Sequence, residues 1–342
     1  MDSLPDRFRD VEHLEEVMTT PGPALIAELE HVPGDLIILG VGGKMGPTLA
    51  RLAKRALPSR RVVGVARFSE PGLREQLQRH GIECLAADLL DRRQVEALPR
   101  LPNVLFMAGR KFGSTGSEEL TWAMNAHVPA LVAEAFARSR IVAFSTGCVY
   151  PYVDVKKGGA TESTPAVPPP GAYANSCVAR EGMFLHFSKL HGTPGRLFRL
   201  NYSIDMRYGV LHDVASRVLA RQTIDLSMGH VNVIWQGDAN TRALRCLAHC
   251  TTPTSPINVS GAETISIRWL AQEFGRRLGV APQFSGSEAP DAWLVNTQES
   301  MKLFGPPTVP LARLIDWVAD WVQRGLGSLG KPTHYETRDG TY

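Results

Sequence analysis

Residues 36–46 read LIILGVGGKMG, an apolar strand that leads directly into a cluster of glycines. Gly40, Gly43 and Gly46 have GxxGxxG spacing, and the next residues, PTLARLAKRAL, have a helical pattern. A strand, a glycine turn and a helix in this order form a cradle for a pyrophosphate. The glycines allow the turn and the approach of a ligand, and the helix N-terminus offers unpaired N–H groups. The segment therefore predicts dinucleotide binding, and the alternative is a tight turn without a ligand.

Composition limits the classes of protein that the chain can belong to. The 342 residues are 44% hydrophobic and 21% charged, with a net charge of +3, which suits one large or two fused globular domains. No basic run indicates nucleic-acid binding, and no apolar stretch approaches the ~20 residues that span a bilayer, so neither partner is expected. The acidic, polar residues 1–16 do not resemble a secretion signal, which favours a cytoplasmic location.

The cysteines predict neither a disulfide framework nor a metal site. There are five of them, an odd and scattered set, which favours free thiols in a reducing compartment. Cys246, His249 and Cys250 share a predicted helix, but no second pair of such residues lies nearby in the sequence. We therefore expect no bound metal.

Strand and helix patterns alternate from residue 35 to about 150. The apolar segments LIILG, RVVGVA, IECLAAD, NVLFMAG and RIVAFSTG predict buried strands separated by helices. This predicts an α/β fold, a Rossmann-type doubly wound parallel sheet, with a smaller C-terminal substrate-binding domain. Residues 151–172, rich in proline and glycine, predict a long loop that covers a site. The expected parts are an N-terminal helical extension (1–34), the Rossmann domain (35–200), a mainly substrate-binding part with segments returning to the sheet (201–330) and a polar tail (331–342).

The end of the second predicted strand indicates the cofactor. Arg67 and Ser69 lie at the tip of RVVGVA, where no acidic residue occurs. An arginine there accommodates the 2′-phosphate of NADP, whereas an acidic residue bonds the ribose of NAD, so the sequence favours NADP over NAD. Lys44 adds positive charge inside the glycine turn. Asp88, which ends the third strand, predicts either a contact to adenine or a cap on the next helix.

The order of the motifs resembles that of the extended short-chain dehydrogenase/reductase family, the NAD(P)-dependent sugar epimerases and dehydratases. The similarity covers roughly residues 35–325 and includes the glycine turn, MAG, TWAMNAHVPALV, STGCVYP, WQGDAN, INVSGAETISI and LARLIDWVADW. With the strand-end residues above, it implies a cofactor set. The set is Gly40, Gly43, Lys44, Met45, Gly46, Arg67, Asp88, Leu89, Met107, Ala108, Gly109, Lys111 and Tyr173.

The resemblance also implies catalytic residues. In that family a tyrosine moves the proton of a substrate hydroxyl while hydride passes to or from the nicotinamide, and a serine or threonine orients the hydroxyl. These roles fall to Tyr173 and Thr146, and Asn125 matches the family's structural asparagine. The family's lysine is absent, because position 177 is cysteine. Cys177 carries no fixed positive charge, so another cation lowers the pKa of the tyrosine or the hydride chemistry is impaired.

Other candidate residues surround this centre. Lys111, Arg110 and Arg180 are candidates for the replacement cation, each with the alternative of a solvated surface charge. Cys148 corresponds to a cysteine that acts as an acid/base in some family members, and its alternative is a small buried thiol. The predicted substrate residues are Arg110, Cys177, Asn201, Arg207, Tyr208 and Trp235.

These observations predict an NAD(P)-dependent oxidoreductase or epimerase that acts on a hydroxyl of a sugar or sugar-derived compound, and a homodimer is expected from the family. The absence of the lysine keeps open a catalytically weak nucleotide-binding sensor or scaffold. A non-redox lyase or isomerase that uses Cys148 as a base is a further alternative.

Overall fold

The computed structural model describes residues 4–111, 113 and 116–338, and its centre is a parallel sheet. Within those residues the sheet has seven strands in the order β7-β6-β5-β4-β1-β2-β3, and all neighbours are parallel. The strands are β1 (Leu36–Leu39), β2 (Val62–Ala66), β3 (Glu83–Ala86), β4 (Asn103–Phe106), β5 (Arg140–Thr146), β6 (Gly195–Leu200) and β7 (Ser255–Val259). This confirms the predicted doubly wound α/β fold.

Helices cover both faces of the sheet. In the described residues the α-helices are α1 (Val11–Met18), α2 (Pro23–Glu30), α3 (Gly46–Ala56), α4 (Leu73–Arg79), α5 (Arg92–Ala97), α6 (Glu118–Trp122), α7 (Val128–Ala135), α8 (Ala172–His191), α9 (Val210–Leu219), α10 (Gln236–Arg245), α11 (Ile267–Leu278), α12 (Gln298–Phe304) and α13 (Leu311–Gln323). None of these described helices is long and apolar enough to cross a membrane.

Strand β1 shows why the central strands are continuously apolar. Leu36 and Ile38 pack toward α2, α3 and α10, whereas Ile37 and Leu39 pack toward α5, α7 and α8. Alternate residues of a strand face opposite sides, so a strand covered on both sides has apolar residues throughout. The glycine turn, which follows β1 directly, is thus held by an element that is buried on all sides.

The N-terminal segment, residues 4–30, joins two hydrophobic cores of the molecule. Phe8 stacks on Trp235 at 6.2 Å and packs on Trp317 at 4.6 Å, in a core that also contains α9, α11 and α13. Helix α2 contributes Leu25 and Leu29 to the core on one face of the Rossmann sheet. The segment therefore bridges the sheet and the C-terminal helices.

The segment that follows α13 returns across the molecule. We call residues 328–338 the C-terminal strap. The amide of Leu329 donates to the carbonyl of Arg207 at 3.0 Å, and Tyr335 is buried among the C-terminal helices. Further along, Glu336 pairs with Arg217 at 2.7 Å. These contacts fasten the strap to the C-terminal part of the fold along its described length.

Candidate active site

Close backbone packing shapes the glycine turn between β1 and α3. Gly40 has φ +92°, and a Cβ there would lie 2.5 Å from the amide nitrogen of Ala108. A Cβ on buried Gly46 would overlap the carbonyl oxygen of Val41, so only glycine lets α3 begin so close to the strand. A Cβ on Gly43 would make only an ordinary contact, with the carbonyl oxygen of Gly40 at 3.5 Å. Gly43 is exposed and lines the neighbouring cavity.

A first cavity, of about 330 Å³, lies beside this turn at the C-terminal ends of β1, β2 and β4. Its walls include much of the predicted cofactor set, namely Gly40, Gly43, Arg67, Asp88, Leu89, Met107, Ala108 and Gly109. Ser69, Glu70, Met124 and Lys331 also line it. A turn that admits only glycine beside a cavity of this volume fits a dinucleotide.

The wall formed at the tip of β2 carries both signs of charge. Arg67 is exposed there and forms no hydrogen bond or ion pair with the described residues, while Glu70 borders the same cavity. On the next strand, Asp88 accepts a hydrogen bond from the amide of Leu90 at 3.0 Å and also lines the cavity. This contact closes a turn before α5, whose N-cap is Asp91 and not Asp88. The capping role considered for Asp88 is therefore wrong, while its position borders the first cavity.

A second cavity, of about 220 Å³, lies at the C-terminal ends of β5 and β6. The structure brings together there the predicted residues Lys111, Thr146, Cys148, Tyr173, Asn201 and Tyr208. It also places Lys44 and Met45 there, rather than in the first cavity where the sequence assigned them. The Nζ atom of Lys44 lies 3.1 Å from the centroid of the Tyr208 ring, and this cation–π contact turns the side chain away from the cofactor cavity.

Tyr173 lies in a pocket that favours its neutral form. Burial raises the pKa of Tyr173 well above its ordinary value, and Cys177 and Cys148 add to the increase. The positive charge of Arg180 and a hydrogen bond with Thr146 lower the pKa again in part. The hydroxyl is therefore a proton donor at neutral pH, with the threonine partner that the sequence predicted.

Asn125 organises the backbone behind the tyrosine. It lies in a π-helix, Ala123–His127, and its Oδ1 accepts from the amide of Arg110 at 2.9 Å. Its Nδ2 donates to the carbonyl of Arg110 at 2.9 Å and to Ser176 Oγ at 3.0 Å. Asn125 thus joins the segment after β4 to α8, a structural role, and it lines neither cavity.

The candidate replacement cations lie in different places. Arg180 is buried behind the tyrosine, where its guanidinium donates to Asn125 Oδ1 at 2.6 Å and to the Phe144 carbonyl at 2.8 Å. Lys111 lies in the second cavity, with Nζ 5.7 Å from the centroid of the Tyr173 ring, and it donates to the Thr333 carbonyl at 3.2 Å. Positive charge therefore reaches Tyr173 from both sides, although position 177 is cysteine.

The sequence also matches a family profile. The profile described as NAD dependent epimerase/dehydratase family matches residues 36–242, which is more than half of the chain. The chain belongs to this epimerase/dehydratase family. The resemblance to extended short-chain dehydrogenases is thereby confirmed. A search of curated proteins finds no match.

Solved structures share the fold of this family member. UDP-glucose 4-epimerase from Thermotoga maritima aligns at 15% identity and TM-score 0.71, covering 85% of this chain and 99% of that one. UDP-glucuronic acid 4-epimerase from Bacillus cereus, in complex with UDP-glucuronic acid and NAD, aligns at 16% and 0.69 over 85% and 99%. UDP-glucose 4-epimerase from Thermus thermophilus, in complex with NAD, aligns at 19% and 0.68 over 84% and 99%. At these identities the likeness concerns the fold.

Two predicted substrate residues of the epimerase/dehydratase-family chain form part of its framework instead. Arg207 pairs with Asp205 at 2.7 Å and with Glu15 at 2.9 Å, and it lines neither cavity. Trp235 is buried against Phe8 and Trp317. Arg207 is held by Asp205, two residues before it in the sequence. Trp235 is held by aromatic residues far away in the sequence, which the sequence alone did not reveal.

Two others lie next to the cavities without lining them. Arg110 is half-buried, and its guanidinium donates to the Gly113 carbonyl at 2.7 Å. Asn125 binds the backbone of Arg110, and the side chain of Arg110 lines neither cavity. Cys177 is fully buried one helical turn from Tyr173 and hydrogen-bonds with it, and burial raises the pKa of this thiol to about 11. Cys177 therefore supports the tyrosine and does not contact substrate in this arrangement.

The C-terminal strap is the part of the site that sequence reasoning missed. Lys331 borders the first cavity and Thr333 the second, whereas none of residues 151–172, the loop expected to cover the site, lines either one. That loop instead pairs Val153–Asp154 with Asp291–Ala292. The strap is polar and irregular and has no periodic pattern. In its sequence, the aromatic residue Tyr335 is the feature that could have indicated burial against the rest of the fold.

Proposed function

We propose that this member of the epimerase/dehydratase family is an NADP(H)-dependent oxidoreductase or epimerase acting on a hydroxyl group of a sugar or sugar-derived compound. The adjacency of two cavities carries the proposal. The glycine turn contributes Gly40 and Gly43 to the first and Lys44 and Met45 to the second, where Thr146 and Tyr173 lie. A cofactor in the first cavity and a sugar in the second would therefore share one wall.

The residues of the second cavity suit proton handling. When bound, the nicotinamide supplies the hydride donor or acceptor. Tyr173 gives or takes the proton of the substrate hydroxyl, and Thr146, its hydrogen-bond partner, orients that hydroxyl. Cys148 lines the same cavity and its amide is held by Thr146 at 3.1 Å, which fixes the thiol where a second acid/base would act.

Preference for NADP follows from the tip of β2. Arg67 and Ser69 border the first cavity, where an arginine accommodates a 2′-phosphate. Glu70, on the same wall, is the residue that would favour NAD. The solved neighbours contain NAD and UDP-sugars, which supports a nicotinamide cofactor and a sugar ligand here.

A homodimer and a cytoplasmic location complete the proposal. The helices beside Asn125 and Tyr173 carry exposed apolar side chains, Trp122 on α6 at 42% and Leu190 on α8 at 62% exposure, which would be covered in a dimer formed through these helices. Sedimentation of the purified protein measures its mass, and a monomer at micromolar concentration would exclude that dimer.

Calorimetric titration of the cofactor-stripped protein with NAD⁺, NADH, NADP⁺ and NADPH tests the proposal. Tighter binding of the NADP pair is expected. Nicotinamide absorbance then reports net oxidation or reduction of candidate sugars, and chromatography of the products reports epimerisation, which leaves the absorbance unchanged. Binding of none of the four would instead favour the sensor or scaffold that the cysteine at position 177 keeps open. A non-redox reaction at Cys148 requires turnover without absorbance change, and unchanged turnover in Cys148→Ala would exclude it.

A further inference from the structure

Of the residues that the structure describes, two lysines and no carboxylate line the second cavity. Lys44 enters it from the glycine turn and Lys111 from the segment after β4. Among the described residues no carboxylate lies within ion-pair distance of Lys44, whose contact is the ring of Tyr208. A buried cation without a carboxylate partner is costly, and an anion that enters the cavity would relieve that cost.

The acidic groups nearest these lysines are engaged elsewhere. Asp205 accepts two hydrogen bonds from the side chain of Arg207, at 3.2 Å and 2.7 Å. Asp213 accepts from the amide and the hydroxyl of Thr333, at 2.8 Å and 2.5 Å. Glu336, the other carboxylate that acts on Lys111, pairs with Arg217 at 2.7 Å. All three carboxylates are therefore engaged by other donors, and none of them lines the cavity.

The size of the cavity limits the ligand. Its volume of about 220 Å³ lies below the roughly 300–1,000 Å³ typical of sites for larger organic ligands. Thr333 of the strap forms part of its wall, and the strap is tied down by Asp213 and by the burial of Tyr335. One sugar ring fits this space better than a sugar joined to a nucleoside diphosphate.

We propose that the substrate is a small sugar-derived anion, with a carboxylate or phosphate bound by Lys44, rather than a nucleotide-linked sugar. This inference rests on the proposed function, since it names the substrate class of the same cavity. Lys44 contacts the ring of Tyr208, whereas Lys111 lies beside the ring of Tyr173, so the two lysines have different aromatic partners in the cavity. Burial lowers the pKa of Lys44 to about 7, and a bound anion would raise it again.

The charge of the cavity can be measured without cofactor or turnover, through Cys148. Iodoacetate and iodoacetamide are matched alkylating probes that differ in charge, and mass spectrometry gives their rates at Cys148. Lys44→Met should lower the iodoacetate-to-iodoacetamide rate ratio by roughly tenfold, since a cleft of one charge sign concentrates ions of the other. Lys44→Gln gives a second neutral variant, and Lys189→Met, on the exposed end of α8, is the control that should leave the ratio unchanged.

Equal ratios in the wild type and both Lys44 variants would overturn the inference. Failure of either probe to modify Cys148 would do the same, because the cavity would then be closed to small anions. The alkylation ratio needs no cofactor, so it tests the anion site even if no nicotinamide cofactor binds. Conversely, cofactor can bind in the titration while the alkylation ratio shows no effect of Lys44. The two proposals can therefore fail separately.

Calorimetry with cofactor present distinguishes the sources of the anion. The probes are glucuronate, galacturonate and glucose 6-phosphate, with glucose and galactose as neutral partners and UDP as the nucleotide alone. At least one of the first three should bind more tightly than its neutral partner, and Lys44→Met should remove roughly tenfold of that affinity. UDP binding that depends on Lys44, or neutral sugars that bind as tightly as the anions, would contradict the proposed substrate class.

Discussion

At the scale of single residues, side chains that are close in the fold can belong to different cavities. Arg67 at the end of β2 and Lys44 in the glycine turn are both cations near the same turn, yet they face different cavities. The sequence placed both with the cofactor because residue spacing locates a side chain on the turn but does not give its direction. The contact between Lys44 and Tyr208, residues far apart in sequence, sets that direction.

Arg67→Gln should weaken NADPH binding by about tenfold and leave NADH binding unchanged. The expected cause is the loss of a charge-assisted contact to the 2′-phosphate, for which a tenfold loss corresponds to about 1.4 kcal/mol. Calorimetric dissociation constants for the two cofactors test this. Arg79→Gln, an exposed arginine on α4, is the matched control, and a parallel loss of NADH affinity in Arg67→Gln would argue against the assignment.

Lys44→Met should stabilise the protein most at low pH. Burial lowers the pKa of Lys44 to about 7. The charges of Lys111 and Lys331 also lower it, and those of Asp205 and Asp213 raise it in part. The unfolded chain, with a lysine pKa near about 10.4, binds the proton between these two values while the folded chain has released it, so wild-type stability rises with pH across that window. The gain from Lys44→Met should be about 2 kcal/mol at pH 6 and shrink toward pH 10.

Urea unfolding at pH 6 and pH 9.5 measures this difference. Lys189→Met, whose side chain is exposed, should show no such pH dependence. A gain from Lys44→Met that grows with pH would mean that the folded protein stabilises the charged form of Lys44.

At the scale of elements, helix α8 carries Tyr173, and a buried charge network holds the helix on the sheet. Glu181 of α8 pairs with Arg199 of β6 at 2.6 Å and accepts from Ser145 of β5 at 2.6 Å. Arg199 also donates to the hydroxyl of Tyr150 at 2.5 Å. Since both members of the ion pair are 7% exposed, the position of α8 depends on groups that lack water as an alternative partner.

Arg199→Met should lower the free energy of unfolding by about 3–5 kcal/mol, because Glu181 would remain as an uncompensated buried charge. The double variant Arg199→Met/Glu181→Met should recover part of the loss. Urea denaturation of the singles and the double completes the cycle. The exposed Arg61–Glu83 pair serves as a comparison, and Arg61→Met should cost less than about 1 kcal/mol. Equal costs at the two sites would refute a buried-charge role.

At the scale of the whole molecule, the sequence predicted the alternating strands and helices of the Rossmann sheet and missed the C-terminal strap. The strands and the glycine turn were predictable because buried strands and tight turns leave local patterns. Thr146 and Tyr173 were assigned from the family resemblance, and the structure brings both to the second cavity. Trp235 and Arg207 were misassigned, since their partners Phe8 and Glu15 lie more than 190 residues away. The strap left no pattern, because its contacts depend on single hydrogen bonds and one buried ring.

Asp213→Asn should loosen the strap. Asp213 accepts two hydrogen bonds from Thr333, and replacing a charged acceptor with a neutral one weakens both. The amide of Thr333 should then exchange with solvent about tenfold faster, as measured by hydrogen exchange. Asp154→Asn, at a surface turn where the side chain accepts from Lys156, is the control that should leave Thr333 unchanged. Unchanged exchange in Asp213→Asn would show that the other contacts of the strap, among them the Glu336–Arg217 pair and the buried Tyr335, are sufficient to hold it.

The strap also has a consequence for the order of events in time. Lys331 borders one cavity and Thr333 the other, so a displacement of this segment would alter a wall of each. Segment motions beside a site set the rate of ligand release in many enzymes. We therefore expect the residence times of ligands in the two cavities to lengthen or shorten together when the strap is altered.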